Sequence, residues 1–330
     1  MPKIKSAENK IFNITNDIDF NDVALEIFHF QYENNVVYKQ FVDFLNINVE
    51  EVVHYSKIPF LPVEFFKNHK VISGGDNSEI IFSSSGTTGT QTSKHYVSDV
   101  ELYERSFLRG FDHFFGSPED VVIIALLPSY LEREGSSLVY MANKLISESD
   151  KLESGFYLNE YEELHTLLIT LAAQKQEVIL LGVTYALLDM AEQFPINYPE
   201  LILMETGGMK GKRKELIRHE LHAKLKTAFG VSQIYSEYGM TELMSQAYSV
   251  GEGIFSTPPW MKVLIRDVND PLSMMPTGKA GGINVIDLAN IYSCSFIATQ
   301  DLGKVGLNNT FEILGRFDNS DVRGCNLMVG

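Results

Sequence analysis

Apolar residues recur at helical spacing near the start of the chain. Phe20, Val23, Ala24, Ile27, Phe28 and Phe30 form one set, and Val36, Val37, Phe41, Phe44 and Leu45 a second. The pattern predicts two helices over 15–47, with Asn16 or Asp17 as the first cap. No chemistry interrupts either set, so both read as packing surface. The pattern changes at Ile58-Pro-Phe-Leu-Pro-Val-Glu-Phe-Phe66. Pro59 and Pro62 force an extended segment, with a short turn of helix after it. Val121 to Leu127 is apolar at every position, which predicts a strand buried on both faces of a parallel sheet. Further strands are expected at Glu177 to Gly182 and from Leu201, and helices up to Ile146, from Tyr161 to Ala173 and from Thr184 to Glu192. Alternating strands and helices predict an α/β fold. Beyond residue 251 short strands dominate, as in Trp260 to Asp267 and, after a turn over Pro276 to Ile283, Asn284 to Leu288. The expected division is a helical region over 1–54, an α/β core over 55–250 and a β-rich subdomain over 251–330.

Composition narrows the functional classes. Hydrophobic residues make up 45% of the 330, enough for a sizeable core. Lys and Arg number 27 against 43 Asp and Glu, a net charge of −16. That balance argues against a nucleic-acid partner or an anionic membrane surface. Cys294 and Cys325 make neither a disulfide framework nor a zinc pattern. The first ten residues lack an apolar signal core and no run is long enough to span a bilayer, so a cytoplasmic protein is expected.

Three stretches carry candidate chemistry. Ile80-Ile-Phe-Ser-Ser-Ser-Gly-Thr-Thr-Gly-Thr-Gln-Thr-Ser-Lys-His95 runs from a short apolar stretch, expected to be a buried strand, into hydroxyls and glycines. The capping pattern Ser98-Asp-Val-Glu101 and a helix to about Phe115 follow. Glycines let backbone N–H groups converge, Ser83, Ser84, Ser85, Thr87 and Thr88 add neutral donors, and Lys94 adds a positive charge. The loop suits a polyphosphate, yet it is not a Walker loop, because Gly-x-x-x-x-Gly-Lys-Ser/Thr is absent. Leu201-Ile-Leu-Met-Glu-Thr-Gly-Gly208 ends a strand in paired glycines, which let a planar ring approach the backbone. Val231 to Glu242 runs a strand into Tyr238-Gly-Met-Thr-Glu242.

These motifs resemble those of the adenylate-forming superfamily. Ser84-Ser-Gly-Thr-Thr-Gly89 resembles its phosphate loop, and Tyr238-Gly-Met-Thr-Glu242 its Tyr-Gly-x-Thr-Glu signature. Ile297-Ala-Thr-Gln-Asp-Leu-Gly303 resembles its Thr-Gly-Asp motif, and Ile313-Leu-Gly-Arg-Phe-Asp318 its hinge. Ile58-Pro-Phe-Leu-Pro62 and Leu127-Pro-Ser-Tyr-Leu-Glu-Arg-Glu-Gly-Ser-Ser-Leu138 are similar to LuxE-type acyl-protein synthetases. The order of the motifs over about 55–325 is that of the family. The resemblance implies the superfamily's large N-terminal domain, with mixed sheets flanked by helices. It implies ATP-dependent activation of a carboxylic acid, for this branch a fatty acid, to an acyl-adenylate. Ser84, Ser85, Gly86, Thr87, Thr88 and Gly89 would hold phosphates. Gly207, Gly208 and Tyr238 would pack on adenine, and Gly239 would allow the sharp turn. Thr241 would meet the α-phosphate, Glu242 would give Mg²⁺ one hard oxygen, Asp301 would accept from both ribose hydroxyls, and Arg316 would reach ribose or phosphate.

The sequence also departs from the family pattern. Ser236 stands where many relatives carry asparagine, and Gln300 replaces a glycine. The chain stops at Gly330, so the usual C-terminal mobile domain, with its lysine, is expected to be absent. Charge at the α-phosphate would then fall to Mg²⁺, the loop donors and Lys94, Lys210 or Lys212. Acyl-protein synthetases pass the acyl group to a cysteine near the C-terminus and on to a partner reductase. Cys325, beside Arg323, is the candidate acyl carrier, and Cys294 is expected to be buried in a strand. An acyl-CoA reductase or acyl-carrier protein is the implied partner. Two alternatives stay open: a coenzyme A ligase, and a non-catalytic nucleotide- or acyl-binding subunit of a reductase or acyltransferase complex.

Overall fold

A computed structural model describes residues 2–84, 91–128, 135–207 and 216–317. In chain order these form α1 (Pro2–Ile11), α2 (Asp17–Asn34), α3 (Val36–Phe44), β1 (Leu61–Pro62), α4 (Phe65–Asn68), β2 (Ile80–Ser83), β3 (Lys94–Val97) and α5 (Val100–Phe115). There follow β4 (Val122–Leu126), α6 (Ser137–Glu148), β5 (Gly155–Tyr157), α7 (Tyr161–Gln174), β6 (Val178–Val183), α8 (Thr184–Gln193), β7 (Leu201–Thr206), α9 (Arg218–Phe229) and β8 (Tyr235–Tyr238). The chain closes with β9 (Ala247–Ser249), β10 (Ile254–Ser256), β11 (Met261–Arg266), β12 (Ala280–Asp287), β13 (Phe296–Val305) and β14 (Phe311–Arg316). It divides into two compact units, one of Met1–Glu79, His95–Ser98 and Pro259–Gly330, the other of Ile80–Lys94 and Asp99–Pro258.

In the second unit a mixed sheet has the order β10-β9-β8-β7-β6-β4-β5. Neighbours from β5 through β8 run parallel, while β8–β9 and β9–β10 are antiparallel. β4 and β6 are buried at every residue, as the uninterrupted apolar runs require for strands covered on both faces. Helix α6 packs on β4, α8 on β6 and β7, and α9 on α8. The fold is α/β with mixed sheet pairing and flanking helices. α5 is capped by Asp99, whose side chain accepts from the Leu102 N–H, so the cap lies one residue past the expected Ser98. β2 lies outside this sheet and buries only Phe82. The short apolar run before the phosphate loop is therefore a partly exposed strand, not a buried one.

In the first unit the antiparallel order is β11-β12-β13-β14. β1 pairs parallel with the start of β13, Leu61 with Ile297 and Pro62 with Ala298. Pro62 has no N–H to donate, which a two-residue edge strand tolerates. The connector is held from behind as well. Tyr38 Oη donates to Pro59 O at 2.6 Å, and the Tyr38 ring stacks on Phe296. Asn16 caps α2 by accepting from the Asp19 N–H. Two details differ from expectation. Gly281 and Gly282 lie inside β12 rather than in the turn before it. Cys294 is buried in a bend ahead of β13, not in the strand.

Candidate functional site

The segment expected to hold phosphates is closed at its base by a reciprocal pair. Ser84 N–H donates to Ser93 O at 3.1 Å, and Ser93 N–H donates to Ser84 Oγ at 2.9 Å. Ser93 is buried. These bonds fix where the hydroxyl-rich segment leaves and rejoins the fold. Ser85, Gly86, Thr87, Thr88 and Gly89 lie outside the described residues. Lys94 opens β3, exposed, with no ion pair among the described residues.

β7 ends at Thr206, and Gly207 follows with φ of 68°, the left-handed region glycine enters without strain. Its carbonyl accepts from Thr184 Oγ1 at 2.9 Å, and the same hydroxyl lies 3.1 Å from Glu205 Oε2. Glu205 Oε1 accepts from Ser236 Oγ at 2.8 Å. The Ser236 hydroxyl is thus engaged by Glu205 inside the protein. On the neighbouring register position Thr206 donates to Glu237. Burial, and secondarily the charge of Glu205, push the Glu237 carboxyl up to about 7, against the lowering effect of the Thr206 bond.

Tyr238 ends β8, largely buried, with Phe255 edge-on to its ring at 6.1 Å. Gly239 does not adopt a positive φ. Its missing side chain serves a different need: a Cβ there would clash with Glu237 Oε1. Gly239 therefore makes room for the Glu237 carboxyl rather than for a left-handed turn. The turn itself comes next, closed by the Leu243 N–H donating to Met240 O at 3.0 Å. Thr241 and Glu242 are its central residues, Thr241 half-buried and Glu242 buried.

Asp301 and Arg316 belong to the other unit. They are register partners on β13 and β14, with Arg316 Nε 3.3 Å from Asp301 Oδ1. The Asp301 N–H donates to Thr299 Oγ1 at 3.1 Å, and Gln300 donates to Glu64 of the proline-bounded connector. The residue in place of the usual glycine thus ties the connector to the strand bearing Asp301. Arg266 on β11 reaches across, donating to Ile283 O at 2.7 Å, Asn284 Oδ1 at 2.8 Å and Thr299 O at 2.6 Å. Gly208, Lys210, Lys212, Asp318, Arg323 and Cys325 lie outside the described residues. Cys294 is fully buried, its thiol pushed up to about 12 by burial.

Among the described residues no cluster of three or more His, Cys, Asp or Glu side chains is placed to hold a metal. A single carboxylate completed by phosphate oxygens and water is the mode Mg²⁺ takes with nucleotides. The one acid of the Tyr238–Glu242 segment, Glu242, fits that mode. No described helix is long and apolar enough to cross a membrane. Glu205, Thr184, Glu237, Glu64 and Arg266 were not singled out by sequence patterns. The one available signal was Glu205 and Glu237 themselves, acids inside strand segments.

A model of the acyl-protein synthetase family LuxE matches residues 12–330. The chain belongs to the LuxE acyl-protein synthetase family. No curated protein matches its sequence. Among solved structures, this LuxE-family chain is similar to ATP-bound MatB from Rhodopseudomonas palustris at a TM-score of 0.56 and 18% identity, over 74% of this chain and 49% of that one. It is also similar to an open conformation of 2-hydroxyisobutyryl-CoA ligase in complex with 2-HIB-AMP and CoA. There the TM-score is 0.64 and the identity 14%, over 93% of this chain and 72% of that one. The chain spans about half the length of the MatB structures it matches. These likenesses are of fold: the α/β architecture resembles that of MatB and of 2-hydroxyisobutyryl-CoA ligase.

Proposed function

We propose that this LuxE-family chain uses ATP to activate a carboxylic acid, of the fatty class, and passes the acyl group to a thiol. The observation that carries this is the juxtaposition at the carboxyl ends of two neighbouring parallel strands. β7 runs into the left-handed Gly207 and β8 into Tyr238 and the Thr241-Glu242 turn. Ligands of open α/β sheets gather at such strand ends.

In this proposal the Gly207 turn and Tyr238 take the adenine ring. Ser84 and the loop Ser85 to Gly89 take the phosphates, with Lys94 alongside, and Thr241 meets the α-phosphate. Asp301 and Arg316 take the ribose. Glu242 would hold Mg²⁺, which when bound neutralises phosphate charge. The substrate carboxylate oxygen attacks the α-phosphorus, the bond to pyrophosphate breaks, and an acyl-adenylate forms. A thiolate then attacks the acyl carbon, giving a thioester and releasing AMP. Cys325 is the proposed protein acceptor, and an acyl-CoA reductase or acyl-carrier protein the proposed next partner. The solved ligase holding both an adenylate and CoA supports a second reading, with coenzyme A as the thiol.

Acid-dependent exchange of labelled pyrophosphate into ATP tests the first step across short, long and aromatic acids. Exchange with a long-chain acid is expected, and its loss in Glu242→Gln. A folded chain that exchanges with no acid overturns the adenylation proposal. A labelled acyl group that stays on the protein, and is lost in Cys325→Ser, identifies the acceptor, since Cys294 is buried and its thiol pushed up to about 12. Label moving only to added coenzyme A selects the second reading.

A further inference from the structure

Two acid–hydroxyl pairs stand in register across β7 and β8. Glu205 pairs with Ser236, and Thr206 with Glu237. Side chains alternate along a strand, so the two pairs project from opposite faces of the sheet. On one face Glu205 meets Thr184, at the start of α8, and Ser236. His222 of α9 stands with Nε2 3.8 Å from Glu205 Oε1, beyond hydrogen-bond distance, and that buried nitrogen has no hydrogen-bond partner among the described residues. On the other face Glu237 lies over Gly239, close to Gln246, with Tyr248 of β9 as its register partner. Burial, with the charge of Glu237 adding to it, holds the Tyr248 phenol well above its ordinary range. Thr184 has one hydroxyl proton within reach of two acceptors, Glu205 Oε2 and Gly207 O.

We propose that Glu205 is a positioning residue: through Thr184 and Ser236 it locks the Gly207 turn to the strand that ends in Tyr238. The proposal rests on the nucleotide role given above to Gly207 and Tyr238. Hydrogen bonds to a buried carboxylate are the stronger kind and fix geometry as well as energy. Here they join three segments: the β6–α8 junction, the end of β7 and the end of β8. Thr184 extends the lock to the Gly207 carbonyl. The same carboxylate adds its negative charge to the environment of Glu237 on the opposite face. Glu205 therefore leaves two independent marks, one on the turn and one on the proton of its neighbour.

The test uses the full chain, with Thr184→Val, Thr184→Ser and Glu205→Gln. ATP binding is measured by calorimetry, and the Glu237 carboxyl is followed by isotope-edited infrared titration. Thermal melting confirms that each variant is folded. Thr184→Val keeps the shape and removes the one hydroxyl proton that Glu205 and the Gly207 carbonyl share, so ATP affinity should fall about tenfold, and Thr184→Ser should restore it to within about threefold. Glu205→Gln should lower the Glu237 titration, because a like charge is removed. ATP affinity equal in Thr184→Val and wild type, or a Glu237 titration unmoved in Glu205→Gln, overturns the proposal. Failure of the underlying nucleotide assignment looks different: the wild-type chain itself binds no ATP.

Discussion

In one unit Asp301 stands on β13 with its carboxylate 3.3 Å from Arg316, whose side chain is 68% exposed. In the other, Glu205 and Glu237 stand on β7 and β8 with hydroxyls as hydrogen-bond partners. The first arrangement leaves a cation in water, free to exchange partners. The second withdraws carboxylates from water and satisfies them with neutral donors. An exposed pair contributes little to stability because both ions are well solvated apart. A buried carboxylate holding several donors is costly to disturb, because a buried donor such as the Ser236 hydroxyl is left without its acceptor. Arg316 is thus left available to solvent, whereas Glu205 holds its surroundings still.

The largest effect that would sharpen this contrast is on stability. Glu205→Ala strands the Ser236 hydroxyl and leaves a void, and should cost roughly 2–4 kcal/mol. Asp301→Ala should cost less than about 1 kcal/mol. Urea denaturation of both variants checks this. Equal losses would break the comparison.

Next comes pH. Glu237 titrates at about 7 in the fold against an ordinary value of 4.5. The folded state holds this proton more tightly than the unfolded one. The associated stability is therefore complete below about 4.5 and is lost as pH rises through about 7, at most about 3 kcal/mol. Glu237→Gln keeps an acceptor for Thr206 and should remove that slope, leaving the variant more stable than wild type above neutrality. A wild-type denaturation midpoint that rises between pH 5 and pH 7.5 would contradict the assignment.

The alternation of apolar runs and helical repeats made the α/β core legible, because a strand covered on both faces has no polar side to show. β4 and β6 are such strands. The motif residues were legible too, since glycines, hydroxyls and acids cluster locally. What sequence could not supply was register. Glu205 and Ser236 are 31 residues apart, and only strand pairing brings them together. Gln300 meets Glu64 across a separation of 236 residues, so the motif that its replacement of a glycine weakens gives no sign of the tie it makes. Gly239, expected to allow the sharp turn, also makes room for Glu237 two residues earlier, a need that only the packed side chain shows.

A smaller effect concerns nucleotide affinity in the exposed arrangement. If Asp301 accepts from ribose hydroxyls, Asp301→Ala should raise the KM for ATP about tenfold, through loss of charge-assisted hydrogen bonds. The melting temperature should stay close to wild type. A raised KM together with a collapsed melting temperature would mean that Asp301 is structural, as Glu205 is.

The smallest expected change is at Arg316. Its guanidinium stands mostly in water beside the largely buried Asp301 side chain. Cutting it to alanine removes a cross-strand ion pair whose net worth at the surface is about 0–1 kcal/mol. Arg316→Ala should therefore shift stability by less than about 1 kcal/mol at low salt. The difference from wild type should shrink further at 1 M salt, where the screening length is about 3 Å. Denaturation at both salt concentrations reads this directly. A loss that persists undiminished in high salt would show that the pair is shielded from solvent, and the two units would then treat their acids alike.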